Sequence, residues 1–303
     1  MAEAGIAERH GPRDALPRAG KARRAQTEPD LISVLMTAYN AEAYVGAAVE
    51  SLLAQTDAHF EIVVVDDGSS DQTVQVLEQH ADPRLRVYRA VHQGRVPALL
   101  CAAREARGEL LAILDADDLA LPDRLATQRR YLALHQEVAL IGSAAIEFDD
   151  RDEWRHPVPT GPRAVRRALS RYNPFFLSSV MFRRDVYQEL GGFPCEAGLG
   201  YDFAFLVQVA ERYPVDILPE PLIRYRRHPA QMTAGAQWEA NQHRWAAAAQ
   251  RDAARSLAAP GEQWIALVFP VLHALYYHLP PWLRSRRLKD AVKYRLLRLF
   301  RTF

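Results

Sequence analysis

The chain has 303 residues, 49% hydrophobic and 25% charged, enough to bury a substantial core. A formal net charge of +1 excludes a global electrostatic footprint for nucleic acid, so no nucleic-acid partner is expected. The average hides an uneven distribution: residues 284–303 carry eight Lys/Arg against the single acid Asp290, so a basic tail follows an acidic body. Cys101 and Cys195 are far apart and form no CxxC pattern, which reads as two reduced thiols in a cytoplasmic protein. Residues 1–30 contain no apolar run of signal-peptide length and, rich in Arg, Ala, Pro and Gly, read as a flexible arm.

From Leu31 onward, strand and helix patterns alternate. Leu31–Met36 is a short apolar run, as expected of a strand buried on both faces. Asn40 is placed to cap a helix whose apolar positions Val45, Val49, Leu52 and Leu53 recur at helical spacing. Glu61–Asp66 is a β-branched strand, and the turn 67–71 leads into a second helix. Leu85–Tyr88 reads as a strand, 95–107 as a helix ending at Gly108, and Leu110–Leu114 as another strand. Pro122 opens a helix running to about Leu134. Four such units predict an α/β fold with a mostly parallel central sheet flanked by helices. Further on, Ser178–Phe182 and Leu222–Tyr225 read as strands and 200–212 as a helix.

Acids cluster at the ends of the predicted strands: Asp66 and Asp67 after the second, Asp115, Asp117 and Asp118 after the fourth. In open α/β sheets, ligands bind at the carboxyl ends of strands, near a switch in strand order. Carboxylates there repel a diphosphate unless a cation accompanies it, and Asp115-Ala116-Asp117 is a spacing that suits a hard divalent ion. Helix capping is the plainer use of the same acids.

The successive segments Ser33–Asn40, Val64–Asp71 and Leu114–Asp118 closely resemble the ordered motifs of family 2 inverting glycosyltransferases. The resemblance continues through Ser179–Arg184, Leu190–Phe193 and Ala210–Pro214 to Tyr225–Pro229, and covers residues 31–235. It implies a GT-A type nucleotide-diphospho-sugar transferase fold, with 31–120 as the nucleotide-sugar-binding half and 121–235 as the acceptor-binding half. It implies that Tyr39 packs against the nucleotide base, that Asp67 accepts from the uracil N–H, and that Thr37 belongs to the donor site. By the same resemblance Asp115 and Asp117 hold Mn²⁺ or Mg²⁺ and the donor diphosphate, His228 lies near that metal, and Asp202 is the base that activates the acceptor. The implied reaction moves a sugar from a nucleoside-diphosphate sugar, a UDP-sugar first of all, to a glycan or lipid-linked acceptor.

The chain also departs from that pattern. Tyr201 stands where the family has Glu before the base, and the segment Asn173–Leu177 lacks the family's histidine. Leu99-Leu100 replaces an Arg-Asn pair after the Gln93-Gly94 turn, with Arg95 as a substitute cation in the donor site. Two other readings stay open: a nucleotidyltransferase making sugar nucleotides, which should carry a Gly-rich basic loop where Thr37–Asn40 stands, and an inactive nucleotide-sugar-binding module.

Residues 236–303 read as a helical extension. Residues 264–283 contain no Asp, Glu, Lys or Arg, but Pro270, Pro280, Pro281, His273 and His278 argue against a span. The basic helix after it, with Trp264 and Trp282 as anchors, fits a peripheral association with an anionic membrane surface. Packing on the catalytic domain, or on a second copy in a homo-oligomer, is the alternative. Gln242–Trp245 is one residue short of a processive-synthase signature and reads as helix surface.

Overall fold

The computed structural model describes residues 27–194, 200–231 and 253–258. Most of the N-terminal arm, Cys195, Gln242–Trp245 and the apolar and basic stretches from 264 onward lie outside the described residues.

The first part of the chain is a run of parallel units. Strand β1 (Glu28–Ala38) is followed by α1 (Val45–Leu53), β2 (Phe60–Asp66), α2 (Thr73–Glu78), β3 (Leu85–Arg89), α3 (Arg95–Glu105) and β4 (Gly108–Ile113). β1 pairs in parallel with β2 on one side and with β4 on the other, and β2 pairs in parallel with β3. The chain therefore works outward from β1 to β3, then crosses back to β4. That reversal opens a crevice at the carboxyl ends of β1 and β4, where ligands bind in such sheets.

Alternation along these strands feeds two cores. Leu35, Val63, Val65, Leu111 and Ile113 face α3 and α7 (Tyr201–Arg212), meeting Ala98, Leu99, Ala102, Phe205 and Val209. Val34, Met36, Ile62, Val64 and Ala112 face the opposite way, onto Val45, Val49 and Leu52 of α1 and Leu77 of α2. Burial on both faces is why these strands are continuous apolar runs rather than alternating ones.

The second part is mixed. It comprises β5 (Leu119–Ala120), α4 (Arg124–Leu134), β6 (Leu140–Phe148), β7 (Glu153–Arg155), α5 (Pro162–Leu169), a 3-10 turn (Leu177–Ser179), β8 (Met181–Arg183), α6 (Arg184–Glu189), α7 and β9 (Val215–Arg226). The sheet order is β3-β2-β1-β4-β8-β6-β9-β5, with β7 on β6. β8 runs antiparallel to both β4 and β6, so the sheet is parallel from β3 to β4 and mixed beyond β4. Of the extension, residues 253–257 are helical; Ala253, Ala254 and Leu257 are buried, and Ala253 and Leu257 join the core shared with α7.

Three local expectations are corrected. Asn40 does not cap α1, which begins at Val45; it takes a left-handed backbone (φ 48°), and its side chain accepts the Ser70 N–H at 2.9 Å. Gly108 does not end α3 but starts β4, where a Cβ would lie 2.4 Å from the Leu31 carbonyl oxygen. The stretch 178–182 is half 3-10 turn, and the strand there is only Met181–Arg183.

At the amino ends of the strands, opposite the crevice, Glu61 is 1% exposed and accepts from Ser33 Oγ, the Arg107 N–H (both 2.7 Å) and Arg86 (2.8 Å). Burial by itself would raise this carboxyl, but the hydrogen bonds outweigh it and the net shift is downward from 4.5. Glu61→Gln should cost about 1–3 kcal/mol near neutrality, because it weakens the anchor of two part-buried arginines. A lowered folded-state value means the contribution is complete above the ordinary carboxylate range and is lost as pH falls through the folded value. Urea unfolding of both proteins, at neutral pH and in acid, should show the gap closing in acid.

Candidate active site

The loops leaving β1 and β2 are laced together over the crevice. The Asn40 N–H donates to Ser69 Oγ (2.9 Å), the Ala41 N–H to Thr73 Oγ1 (2.7 Å) and the Glu42 N–H to Asp71 (3.1 Å). Gly68 is required where these loops meet the next one: its φ is 74°, and a Cβ would lie 2.8 Å from the His92 nitrogen.

Asp67, 3% exposed, anchors that next loop. Its carboxylate accepts the N–H groups of Gln93 and Gly94, both at 2.9 Å, and lies 2.9 Å from His92 Nδ1. Tyr39 is 49% exposed, so it is not core packing; its ring stacks on His92 with centroids 4.1 Å apart. The two rings make an open aromatic surface above a buried carboxylate. Thr37 is half-buried at the end of β1, in register with Val65.

Across the crevice, Asp115, Asp117 and Asp118 offer carboxylate oxygens within 4.8 Å of one another. Their environments differ. Asp118 is buried, and it accepts from Ser178 Oγ and from the Arg226 N–H at 2.8 Å. Asp117 is paired with His228 Nε2 at 3.0 Å, and its carbonyl accepts Arg226 Nε. Asp115 is paired with Arg95, whose Nε donates to the Tyr201 hydroxyl at 2.8 Å. Under the cluster lies Arg124, fully buried, donating to the Ile113 carbonyl at 2.8 Å. Burial pulls its guanidinium down to about 9, against the opposing pull of Asp118 and Asp115.

Asp202 sits half-buried in the first turn of α7, next to Tyr201. Burial raises its carboxyl above the ordinary 3.8, opposed by the Phe203 N–H and the Arg95 charge. The structure thus gathers Arg95, Asp115, Asp117 and His228 around one point, with Asp202 beside the Tyr201–Arg95 contact. Tyr39 and Asp67 stand on the β1–β2 side of the same crevice.

The donor set fits a hard divalent cation: two part-exposed carboxylates, Asp115 and Asp117, with Asp118 committed to internal hydrogen bonds. Sequence reasoning missed His92, Ser178, Arg226 and Tyr44, whose ring lies 4.4 Å from that of His228. Arg226 lies inside the motif that pointed to His228; the other three carried no signal.

The profile of glycosyl transferase family 2 matches residues 33–191, more than half of the chain. The chain belongs to this family. Among relatives of this glycosyltransferase, an uncharacterised glycosyltransferase of Haemophilus influenzae is 28% identical over 231 residues, 70% of each chain. The amylovoran biosynthesis glycosyltransferase AmsE of Erwinia amylovora is 30% identical over 65% of this chain and 76% of its own. For two further glycosyltransferase relatives the match spans 59% and 63% of their length.

The structure of Staphylococcus aureus TarS 1–349 in complex with UDP superposes with a TM-score of 0.64, at 18% identity over 84% of this chain and 76% of that one. The Pyrobaculum calidifontis mannosyltransferase PcManGT, in complex with GDP-Man and Mn²⁺, gives 0.59 at 21% identity over 93% and 85%. These likenesses establish the GT-A fold, and family membership sets aside the nucleotidyltransferase reading.

Burial, with repulsion from Asp115 and Asp117, pushes the Asp118 carboxyl well above its ordinary range. Its ionisation therefore opposes folding as pH rises. Asp118→Asn keeps an acceptor for the Arg226 N–H and removes the charge, so it should unfold at no lower denaturant concentration than wild type at neutral pH. Asp118→Ala leaves that N–H and Ser178 without their acceptor and should lose about 1–3 kcal/mol in the same titration.

Proposed function

We propose that this glycosyltransferase moves a sugar from a nucleoside-diphosphate sugar, a UDP-sugar in the first instance, to a hydroxyl of a glycan or lipid-linked acceptor, with inversion. The observation that carries this reading is the convergence of the Asp115–Asp117 pair and the head of α7 on the crevice between β1 and β4. The nucleotides bound to TarS and to the mannosyltransferase, and the Mn²⁺ bound to the latter, support a donor and a cation of these classes here.

Each side chain then has a task. The Tyr39–His92 surface stacks the nucleobase, with Asp67 and Thr37 lining the same side. Asp115, Asp117 and His228 would hold Mn²⁺ or Mg²⁺, which when bound supplies neutralising charge for the leaving diphosphate. Arg95 adds a positive charge near that group. Asp202 takes the proton of the acceptor hydroxyl as its oxygen bonds to the sugar C1. The C1–O bond breaks in the same step, and its electron pair leaves with the diphosphate. A single displacement inverts the anomeric centre, and no covalent enzyme intermediate forms. Raising Asp202 above 3.8 makes its carboxylate a stronger base.

Asp202→Asn keeps the shape and removes the proton acceptor. Transfer should fall about 10²–10⁴-fold, equivalent to about 3–5 kcal/mol of barrier, while calorimetry shows donor affinity unchanged. Normal turnover by this variant would remove Asp202 from the mechanism, and a product of retained configuration would remove the single displacement. Wild-type chain that binds the nucleotide sugar but transfers to no acceptor would leave only a binding module.

Metal dependence has a separate test: Asp117→Ala should lose donor binding in Mn²⁺, and excess EDTA should stop turnover. Full activity in EDTA would rule the cation out. The basic segment 284–303 is proposed to draw the protein to anionic membranes. Full-length chain should sediment with anionic vesicles and be released by high salt, and deletion of 284–303 should abolish the sedimentation.

A further inference from the structure

Arg95 stands in an unusual position for a cation in a metal site. It is the first residue of α3 and follows Gly94, whose N–H is fixed to Asp67 at 2.9 Å. The loop anchor therefore sets where the arginine starts. Its guanidinium divides its donors: NH2 goes to Asp115 Oδ1, and Nε goes to the Tyr201 hydroxyl at 2.8 Å. The arginine and aspartate side chains are only 22% and 18% exposed, so water screens the pair weakly. Asp115 is also one of the two carboxylates available to a divalent ion, since Asp118 spends its oxygens on Ser178 and the Arg226 N–H. A carboxylate oxygen engaged by a guanidinium is not free for a metal. The guanidinium holds Oδ1, and its charge also repels a divalent ion approaching Oδ2, so the protein's own cation and the metal compete for Asp115.

A nucleoside diphosphate changes that competition. It brings anionic oxygens that a guanidinium binds at least as well as a carboxylate. Tyr201, 3% exposed, can keep hold of Nε while NH2 changes partner. We propose that Arg95 is a resident counter-cation on Asp115 that couples metal binding to the donor diphosphate: the metal binds poorly alone and well once the diphosphate takes the arginine. Tyr201, the residue that replaces an acid beside Asp202, is the tether of this exchange. The inference rests on the donor and metal assignment above and adds a role for Arg95 that assignment does not require.

The test is calorimetric titration of the full-length chain with Mn²⁺, with and without saturating UDP or GDP. In wild type, nucleoside diphosphate should tighten Mn²⁺ binding about 5–150-fold, and Mn²⁺ should tighten nucleotide binding by the same factor. Arg95→Met should bind Mn²⁺ more tightly than wild type in the absence of nucleotide, and its gain on adding nucleotide should shrink. Arg95→Gln should move the same way and stands in if the Met variant does not fold. If wild type binds Mn²⁺ with nucleotide present while both variants leave the nucleotide-free Mn²⁺ affinity unchanged or weaker, the counter-cation role is overturned and the metal assignment survives. If no protein binds Mn²⁺ under any condition, the metal assignment fails and this inference fails with it.

Discussion

Five aspartates, Asp66, Asp67, Asp115, Asp117 and Asp118, crowd the carboxyl ends of β2 and β4 on either side of β1, and their mutual repulsion must be answered locally. Each is answered differently. Asp66 accepts the Ser69 N–H, and Asp67 the amides of the loop after β3. Asp118 is held by Ser178 and the end of β9, Asp117 by His228, and Asp115 by Arg95. Arg124 lies beneath as a fully buried cation. Three of the five thus build the loops, and two keep exposed oxygens for a ligand. The division follows burial: Asp66, Asp67 and Asp118 are at most 3% exposed, and only Asp115 and Asp117 can meet a cation from solvent.

The parallel half of the fold was legible because strands buried on both faces leave nearly continuous apolar runs, as in Leu31–Met36, broken only by Ser33, and Ile62–Val65. The mixed half was not. β6 reads Leu-Ile-Gly-Ser-Ala-Ala-Ile-Glu-Phe, whose small residues give no strand signal; Gly142 is there because the Phe175 ring lies 2.6 Å from where its Cβ would be. Asn40 misled for a related reason. Capping residues and residues tolerating a left-handed backbone are the same types, and the outcome depended on Ser70, thirty positions away. Among site residues, the acids were legible by their place after strands. His92 was not, since a lone loop histidine carries no pattern until Tyr39 is seen stacked against it.

The departures from the family pattern become intelligible once packing is known. Leu99 and Leu100, standing where the family has polar residues, lie on α3 with Leu99 1% exposed in the core beneath α7. A cation could not be solvated there, so positive charge toward the acids comes from Arg95 at the helix start instead. Tyr201 is its structural counterpart. A carboxylate at that position would sit beside Asp115 and Asp202, adding like charge to a poorly screened cluster. The phenol, pushed up to about 12 chiefly by burial, stays neutral while accepting from Arg95.

That substitution bears on the base as well. Asp202 lies in the first turn of α7, where the helix N–H groups favour its charged form, while burial favours the neutral one. Burial prevails and the carboxyl moves up. An acidic neighbour at 201 would push it further up; Arg95, held by Tyr201, pulls the other way. The same guanidinium that balances Asp115 therefore also favours the ionised form of Asp202. The proposed metal acid, the cation, the phenol and the proposed base form one chain of contacts and charges, Asp115–Arg95–Tyr201–Asp202, that joins the parallel half of the sheet to α7.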